Sequence, residues 1–504
     1  MKNIAIVELD VLSVKLTIAS VVKSNSIVTL HQVVEPINLV QDIQEDEIIK
    51  TPRINELIDI CIGFKSLCDS YNVVETTCLA HRSFYNVKNE ISIFDQIYTR
   101  CNLKFKEMTE EEEINGFYYA VINSIDVSRG VLAIVNTNDT VLLNFSKRSI
   151  FEKNIIPFGT LNVLEKLNLE NTSPKDMLDK VTEFFKQELD KIEWLKSLEA
   201  EISVIGMEKY FLSICKLARK MTKYPIEIEN MYSLSKTDFD NVYKFMLGLD
   251  IDKTKKIKGI SQDRADLFAC SFAIYKAIFE TIKNETMLAS KPGFSEGMLN
   301  FIANPNLTDK PYPDILGNSL DIINEYYTQK PNNIAHVYFL TIILYKQLKV
   351  LHKLPRTYVK ALRIASNLYN CGNRVNFYEN NKAGYNLILN SYIMGASHRD
   401  IVLAAFIMLC TKLDDFNLTE WVKYKNLLTE EDIDAVKKLA VIINLASSLD
   451  AFGRTRIKDM TCDILGDSII IKTQVETPAP LELREGMKNE GDFRKVFKKN
   501  LELL

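Results

Sequence analysis

Two separate regions of this chain open with a run of β-strands and continue into helices, and this repeated order constrains the fold more than any other feature. Residues 4–35 contain three segments rich in β-branched side chains, separated by short polar breaks. A similar set of three strand-like segments occurs at residues 130–159. Helix-periodic segments and further strand-like segments follow each set. The sequence therefore predicts a duplicated α/β unit.

A duplication of this kind is the organisation of actin-like and sugar-kinase-like folds, in which a phosphate ligand lies between the two halves. Four prolines between residues 292 and 313 mark the best domain boundary, and strand signals nearly vanish beyond about residue 316. We predict actin-like subdomains at residues 1–124 and 125–303. An all-α domain is predicted at residues 304–504.

Composition excludes several classes of partner. The formal net charge is −4, and the sequence has no basic run long enough to attract nucleic acid or an anionic membrane. Glu8 and Asp10 interrupt the apolar N-terminal stretch, so neither a signal peptide nor a membrane span is expected. Nine cysteines are scattered without a Cys-x-x-Cys pair, which indicates a reducing compartment. The sequence predicts a cytoplasmic protein with no nucleic-acid or membrane partner.

Three segments carry motifs of a known family. Residues 256–266 read KIKGISQDRAD, residues 293–299 read GFSEGML, and residues 157–167 read PFGTLNVLEKL. They resemble segments of the exopolyphosphatase and guanosine pentaphosphate phosphohydrolase (Ppx/GppA) family, and the resemblance covers almost the whole chain. It implies an actin-like, ribonuclease H-like fold and hydrolysis of phosphoanhydride bonds in inorganic polyphosphate or guanosine pentaphosphate. It also implies Mg²⁺ as cofactor of an active member and a homodimer.

One catalytic position of that family is retained. Glu113, within the segment EEINGFYYAV, corresponds to the family carboxylate that orients and deprotonates the attacking water. The four acids at residues 110–113 follow Thr109, which is also the pattern of a helix N-terminus stabilised by negative charge. Glu113 is therefore either a general base or one acid of an ordinary helix start.

The phosphate-binding turns depart from the family pattern. Glycine lets the backbone approach a phosphate closely, and the resemblance implies glycine-rich turns in this role. Residues 8–13 and 135–140 occupy the first two turns and contain no glycine, while residues 206–209 keep one glycine of the third. Simple hairpin turns at Asp10-Val11 and Asn138-Asp139 are the alternative interpretation.

Side chains near these turns are the remaining candidates for holding a polyanion. We take five residues as candidates for phosphate contact, namely Ser13, Lys15, Arg82, Thr140 and Gly206. The family arginine falls on Ala80 in strict register, so Arg82 or His81 is proposed to reach the same space. Glu8, in place of a family aspartate, is a candidate metal ligand.

The C-terminal helices resemble a His-Asp metal-hydrolase core that has lost its ligands. Tyr369 and Asn370 stand for the His-Asp pair, whereas His336 keeps a ligand position and Asp450 remains. Neutral Asn and Tyr side chains bind transition metals weakly, because useful affinity takes imidazole or anionic ligands. The Asn-rich stretch at residues 367–390 is also compatible with a polar connection between helices, because Asn favours caps and turns.

Two functional hypotheses follow from the resemblance. Loss of the turn glycines and metal ligands favours a catalytically impaired family member that binds polyphosphate, a guanosine nucleotide or an unidentified protein partner, as a regulator or scaffold. The alternative is an active phosphohydrolase with Glu113 as general base, Mg²⁺ and anion contacts rebuilt from side chains near the turns. A third hypothesis, another actin-like nucleotide-binding protein, is opposed by the segment at residues 256–266.

Overall fold

The computed structural model describes residues 2–22, 26–84, 87–146, 149–169, 172–198, 202–248, 265–304, 312–328 and 331–504. The chain divides into two compact units, of which unit 1 comprises Met1–Tyr224 and Glu229–Ile315, and unit 2 comprises Pro225–Ile228 and Leu316–Leu504. The domain boundaries predicted near residues 124 and 303 stay predictions. Residues 256–264 of the family-like segment, including Gly259, Ser261 and Arg264, lie outside the described residues.

Unit 1 alternates strands and helices along the chain. Its described strands are β1 (Lys2–Leu9), β2 (Ser13–Val21), β3 (Ile27–Pro36), β4 (Val73–Ala80), β5 (Phe105–Glu107), β6 (Arg129–Val135), β7 (Thr140–Ser146), β8 (Ser149–Ile156), β9 (Ser203–Gly206), β10 (Ser233–Ser235) and β11 (Thr286–Ala289). Its described helices span Val40–Asp46, Thr51–Ser70, Arg82–Phe84, Glu90–Cys101, Glu110–Ile122, Asn162–Lys166, Pro174–Leu189, Glu193–Lys196, Glu208–Thr222, Lys236–Leu247, Ala265–Ile282 and Phe294–Ala303.

The two sheets of unit 1 share one internal order. In the first, β1, β2 and β3 form an antiparallel meander, and β4 and β5 continue parallel to β1, in the order β3-β2-β1-β4-β5. The second has the order β10-β11-β9-β6-β7-β8, with a meander of β6, β7 and β8 and parallel pairing of β6 with β9 and of β9 with β11. The predicted duplicated α/β unit is therefore confirmed.

Strand β1 is apolar on both faces because both faces are covered. Ala5 and Val7 belong to a core shared with the Thr51–Ser70 and Glu90–Cys101 helices. Ile4 and Ile6 point the other way, into a core that also contains residues of β6, β7 and β9. This alternation between two buried layers explains why the strand reads as a continuous hydrophobic run.

Two helices cross within the second of these layers at a pair of glycines. We call them the Glu110 helix (Glu110–Ile122) and the Phe294 helix (Phe294–Ala303). A Cβ built on Gly297 would lie 1.8 Å from the carbonyl oxygen of Gly116, so only glycine permits this approach. Thr109 caps the Glu110 helix by accepting a hydrogen bond from the backbone N–H of Glu112 at 3.1 Å. The crossing and the cap together fix the position of Glu113, one turn before Gly116.

Unit 2 is mainly helical. Its first described helix is Ile315–Tyr327, which belongs to unit 2 from Leu316 onward. The other described helices of the unit are Pro331–Gln347, Lys349–His352, Arg356–Tyr358, Val359–Asn367, Cys371–Arg374, Asn380–Asn390, His398–Leu409, Leu413–Asp415, Leu418–Val422, Glu431–Ser448, Pro480–Met487 and Glu490–Phe497. In neither unit does a described helix combine the length and hydrophobicity needed to cross a bilayer.

A three-stranded sheet makes the prediction of an all-α C-terminal domain wrong. Strands β12 (Ile457–Leu465) and β13 (Ser468–Val475) form a hairpin, and β14 (Asn500–Leu503) pairs parallel to β13. Ile469 and Ile471 are fully buried, whereas the residues between and after them are more exposed. This alternation is the two-residue period of a β-strand. The prediction of helices throughout the C-terminal region did not take it into account. The assignment of a His-Asp-like domain stays a prediction.

The glycine crossing generates a stability prediction. We expect Gly297→Ala to lower the free energy of unfolding of unit 1 by about 3 kcal/mol, because the new methyl group meets a backbone oxygen that cannot move independently. Gly63→Ala is the matched control, since Gly63 is helical and nothing lies within 4 Å of its built Cβ. The free energy of unfolding of the Gly63→Ala control should rise by about 0.5–1 kcal/mol.

The reporter for both variants is denaturant unfolding followed by the fluorescence of Trp194 in a Trp421→Phe background. The chain has two tryptophans, and Trp194 lies in unit 1 while Trp421 lies in unit 2. Equal stability of the Gly297→Ala and Gly63→Ala proteins would show that the two helices do not approach as closely as described.

Candidate active-site cleft

A cavity of about 820 Å³ opens between the two sheets of unit 1. It is lined by residues of three chain turns, which follow β1, β6 and β9. The first two are tight hairpin turns, since Asp10 N–H donates to the Ser13 carbonyl and Asn136 N–H donates to the Asp139 carbonyl, each at 2.9 Å. The hairpin interpretation of both turns is therefore confirmed. We refer to this cavity as the cleft.

Most of the predicted site residues come together in the cleft. Five of them line it, namely Glu8, Ser13, Lys15, Arg82 and Glu113. Thr140 is instead fully buried, and its hydroxyl donates a 2.9 Å hydrogen bond to the Phe158 carbonyl. Gly206 is packed so closely against Phe211 that a built Cβ would lie 2.6 Å from the ring. The structure thus places Thr140 and Gly206 in packing positions behind the turns.

Glu8 is held by three partners. Parallel pairing sets Leu9 of β1 opposite Ala80 of β4, which brings His81 Nε2 to 3.3 Å from Glu8 Oε2. Lys15 Nζ lies 3.5 Å from Glu8 Oε1, and the Ser295 hydroxyl donates a hydrogen bond to the same oxygen. Burial opposes ionisation, but Lys15 and His81 lower the pKa of Glu8 to about 2.

Both oxygens of Glu8 are therefore committed within the protein. No cluster of three or more His, Cys, Asp or Glu side chains placed to hold a metal ion occurs in the described part of the chain. An all-protein Mg²⁺ site at Glu8 does not fit these contacts, because hard cations take several free oxygen ligands.

Glu113 lies at the floor of the cleft and is 4% exposed. Its Oε1 is 3.6 Å from His81 Nδ1, so the imidazole stands between two carboxylates. Burial favours the neutral ring, but Glu113 and Glu8 raise the pKa of His81 well above its usual value. Arg82 Nη1 lies 3.6 Å from Glu113 Oε2 and also 3.6 Å from Asp139 Oδ2. One guanidinium thus serves two carboxylates.

Each of the three turns carries a carboxylate of the chain itself. Asp10 Oδ1 accepts a 2.8 Å hydrogen bond from the N–H of Val11, and Asp10 Oδ2 accepts one from the Thr137 hydroxyl at 3.5 Å. Asp139 Oδ1 accepts from the Asn136 side-chain amide at 2.8 Å. In the third turn, Glu208 Oε1 accepts from the N–H of Phe294 at 3.2 Å.

Two of these carboxylates are disfavoured as anions. Burial and the charge of Glu113 raise the pKa of Asp139 to about 6. Burial also raises the pKa of Glu208, although Lys15 acts in the opposite direction. The lining of the cleft contains more acidic than basic side chains, since seven Asp and Glu residues accompany five Lys and Arg residues and His81.

The profile of the Ppx/GppA phosphatase family matches residues 17–304, more than half of the chain. The chain belongs to this family. A comparison with curated proteins gave no match. Among solved structures, the Aquifex aeolicus Ppx/GppA family member is 18% identical with a TM-score of 0.53, and the match covers 60% of this chain and 99% of that one. An exopolyphosphatase from Cytophaga hutchinsonii is 15% identical with a TM-score of 0.55, covering 60% and 98% respectively.

These likenesses establish the actin-like fold of Ppx/GppA proteins for the N-terminal part of the chain. The segment at residues 157–167 braces the second turn. Thr160 N–H donates to the Asn136 carbonyl at 3.0 Å, and the Asn162 side-chain amide donates to the Asn138 carbonyl at 2.7 Å. These two hydrogen bonds hold the second turn against the segment that follows β8.

Sequence reasoning missed two roles in the cleft. Asp139 was considered only as part of a hairpin turn and Glu208 only as part of the third turn, but the structure shows Asp139 bonded to Asn136 and Glu208 bonded to the N–H of Phe294. A signal for both was available, because an acid at a phosphate-binding turn needs a partner. His81 was considered only as a substitute cation, and its bridging position follows from strand pairing that a single sequence does not display.

In unit 2, the retained His336 and Asp450 bond to each other, and neighbouring residues complete their hydrogen bonds. His336 Nδ1 lies 3.0 Å from Asp450 Oδ2, while His336 Nε2 is 2.8 Å from the Ile457 carbonyl. The Asn333 side-chain amide donates to Asp450 Oδ2 at 2.6 Å, and the Tyr369 hydroxyl donates to Asn333 Oδ1 at 3.0 Å. Burial favours neutral His336, but Asp450 and the Ile457 carbonyl raise the pKa of its imidazole. His336 acts here as a packing and ion-pair residue.

Asp139 gives the cleft a pH-dependent stability. Its folded-state pKa of about 6 lies above the ordinary value of 3.8, so the folded protein binds this proton more tightly than the unfolded chain. The free energy of unfolding should therefore fall as pH rises from about 4 through 6. Asp139→Asn should flatten this slope and stabilise unit 1 at pH 7.5 by about 2 kcal/mol.

Denaturant unfolding followed by Trp194 fluorescence measures this slope at constant ionic strength. Asp95→Asn is the control, because Asp95 is an exposed aspartate of the Glu90–Cys101 helix. An Asp139→Asn protein that keeps the wild-type slope would contradict the raised pKa.

The network around His336 predicts insensitivity to metal removal. We expect EDTA to shift the thermal midpoint of unit 2 by less than about 1 °C, followed by Trp421 fluorescence in a Trp194→Phe background. His336→Gln should destabilise unit 2 by about 3 kcal/mol with or without EDTA, since Asp450 is 1% exposed and would lose its charged partner. A large EDTA effect together with stoichiometric metal by elemental analysis would overturn this interpretation.

Proposed function

We propose that this Ppx/GppA-family protein does not turn over polyphosphate or guanosine pentaphosphate and acts as a binding protein with a regulatory or scaffolding role. A single observation carries the proposal, namely that each of the three turns contains a carboxylate that is hydrogen-bonded within the protein. Asp10, Asp139 and Glu208 hold the positions at which glycine-rich turns would present amides to a phosphate chain. The protein supplies its own anions there.

The argument is first one of hydrogen bonding. Phosphoryl transfer depends on donors that are free to meet the developing charge on the phosphate oxygens. The N–H groups of Val11 and Phe294 already donate to carboxylates of the chain. A phosphate at these amides would have to displace Asp10 and Glu208 and leave both carboxylates without their hydrogen bonds.

Electrostatic repulsion points in the same direction. Two like unit charges 4 Å apart repel by about 4 kcal/mol at an effective dielectric constant near 20. Four of the five Lys and Arg side chains that line the cleft already have acidic partners, namely Lys15 with Glu8, Arg82 with Glu113 and Asp139, Arg53 with Glu56, and Lys291 with Glu229. A polyanion would therefore meet surplus negative charge, which argues against a polyphosphate ligand and for a less charged one.

An active phosphohydrolase remains the second candidate, and one observation favours it. Glu113 keeps its place on the Glu110 helix, lines the cleft and has Arg82 and Lys15 among its lining neighbours. In that case Glu113 would act as general base on a water directed at the terminal phosphate, and phosphate-bound Mg²⁺ would accompany the substrate.

Phosphate release decides between the two candidates. We expect the wild-type protein and its Glu113→Gln variant to release phosphate from polyphosphate and from guanosine pentaphosphate at the same background rate in the presence of Mg²⁺. Turnover by the wild-type protein that falls at least a hundredfold in Glu113→Gln would establish the hydrolase instead.

Neutralising the turn carboxylates tests whether their charge keeps a polyanion out of the cleft. The triple variant Asp10→Asn, Asp139→Asn, Glu208→Gln should bind polyphosphate at least tenfold more tightly than wild type at fixed ionic strength, by calorimetry. Glu56→Gln is the matched control, because Glu56 lines the cleft but is paired with Arg53 at 2.7 Å and lies outside the turns. Equal gains in polyphosphate affinity in both variants would show that net charge alone, and not the position of the carboxylates in the turns, causes the effect.

Assembly and compartment are also part of the proposal. We place the protein in a reducing, cytoplasmic compartment because all nine cysteines are free thiols and eight of them are buried. A homodimer or a complex with a protein partner suits the regulatory role. A protein that binds a ligand without hydrolysing it exerts its effect through its binding partners.

A further inference from the structure

Four of the nine cysteines lie together in one core layer of unit 1. Cys61 and Cys68 share one helix, Cys78 lies on β4, and Cys101 is the last residue of a second helix. None of the four is more than 6% exposed. The described residues contain no group of three or more His, Cys, Asp or Glu side chains arranged around a metal ion. Metal binding therefore does not account for this cluster of thiols.

Two of these thiols are in direct contact. Their helices pack against each other, and the thiols of Cys61 and Cys101 hydrogen-bond across the contact. The sulfur of Cys101 is also held by its own helix end, because it donates to the Ile97 carbonyl at 2.9 Å and accepts from the N–H of Leu103. A disulfide forms without large backbone movement only between cysteines that already lie side by side. The Cys61–Cys101 pair is placed for such a bond.

The two thiols differ in acidity and exposure. The hydrogen bond from Cys61 lowers the pKa of Cys101 below its ordinary value, with further help from the N–H of Leu103 and the charge of Lys65, although burial acts in the opposite direction. The same hydrogen bond and complete burial raise the pKa of Cys61. Cys101 is 6% exposed and Cys61 is fully buried. Cys101 therefore supplies the reactive thiolate, and Cys61 is the neighbouring thiol that completes a disulfide.

We propose that Cys61 and Cys101 form a site of reversible oxidation, which a hydroperoxide converts to a disulfide and a thiol reductant restores. Disulfides in reducing compartments are mostly transient and redox-sensing, so a bond of this kind agrees with a cytoplasmic protein. This role goes beyond the proposed function and does not depend on what the cleft binds.

The chemistry proceeds in two displacements. The Cys101 thiolate attacks one oxygen of hydrogen peroxide, the O–O bond breaks, and the hydroxide that leaves takes up a proton to become water. The sulfur of Cys61 then attacks the sulfenic acid on Cys101, the S–O bond breaks, and a second water leaves with the proton of Cys61. The two thiols together lose two electrons and two protons, and the peroxide is reduced to two molecules of water.

The disulfide would close a chain loop that carries part of the cleft. Residues 61–101 include β4 and the two cleft residues that follow it, His81 and Arg82. Closing a loop of about 40 residues lowers the entropy of the unfolded chain. Oxidation should therefore raise the thermal midpoint of unit 1 by at least about 4 °C, followed by Trp194 fluorescence in a Trp421→Phe background, and dithiothreitol should reverse the shift.

Peptide mapping of the full-length protein identifies the bond. Trypsin cleaves after Lys and Arg, so Cys61 lies in the peptide of residues 54–65, Cys101 in residues 101–104, and both Cys68 and Cys78 in residues 66–82. After treatment with millimolar hydrogen peroxide at pH 7.5, we expect peptides 54–65 and 101–104 to be joined with the loss of two hydrogen atoms. Dithiothreitol should separate them.

A variant tests the order of the two displacements. Cys61→Ala removes the second thiol, so the sulfenic acid on Cys101 should persist and react with dimedone at least tenfold more than in the wild-type protein. Cys215→Ala is the matched control, because Cys215 is also fully buried in unit 1 but belongs to a different core. That control should match the wild-type protein in both disulfide formation and dimedone labelling.

Unlinked peptides after peroxide treatment would overturn the inference, and so would a link from residues 101–104 to residues 66–82. Equal dimedone labelling of the wild-type and Cys61→Ala proteins would overturn it as well. If Cys61→Ala fails to fold, the peptide map of the wild-type protein decides the matter. Phosphate release that depends on Glu113 would refute the proposed function alone and leaves the oxidation site unaffected.

Discussion

The contact between Gly116 and Gly297 is the constraint on which unit 1 depends. With no side chain on either residue, the Glu110 and Phe294 helices approach until a backbone oxygen fills the space a methyl group would need. Their outer faces then complete the core beneath both sheets. Because Glu113 lies one turn before this point and the N–H of Phe294 lies at the start of the second helix, the same contact sets the floor of the cleft and the partner of Glu208.

The side chains that line the cleft include fewer cations than carboxylates. Lys15 and His81 keep Glu8 ionised, so that residue behaves as a fixed anion. Arg82 lies between Glu113 and Asp139, and burial together with the charge of Glu113 raises the pKa of Asp139 despite this shared guanidinium. An anion-binding cleft would show the opposite balance. On the proposed function, the internal carboxylates close off the positions that a phosphate chain would use.

The sequence predicted the parts of the fold that depend on local pattern. Both strand meanders, the Glu110 helix and the two hairpin turns were predicted, because β-branched runs, a capping box and Asp or Asn at turns act over a few residues. The sheet of β12, β13 and β14 was missed because it follows a long helical stretch. The approach of Glu8 to His81 depends on the parallel register of β1 and β4, which joins residues far apart in the chain. Thr140 and Gly206 lie near the turns in sequence, but packing directs them into the core.

Glu208 has a backbone φ of 65°, in the left-handed region where side chains are strained and glycine is not. Replacement by glycine would relieve about 1 kcal/mol of strain and remove a carboxylate in one step. Codons for aspartate and glutamate differ from glycine codons by a single nucleotide, so each acidic turn lies one point mutation from a residue without charge or side chain. On the proposed function, a change in phosphate binding at these turns therefore requires few nucleotide substitutions.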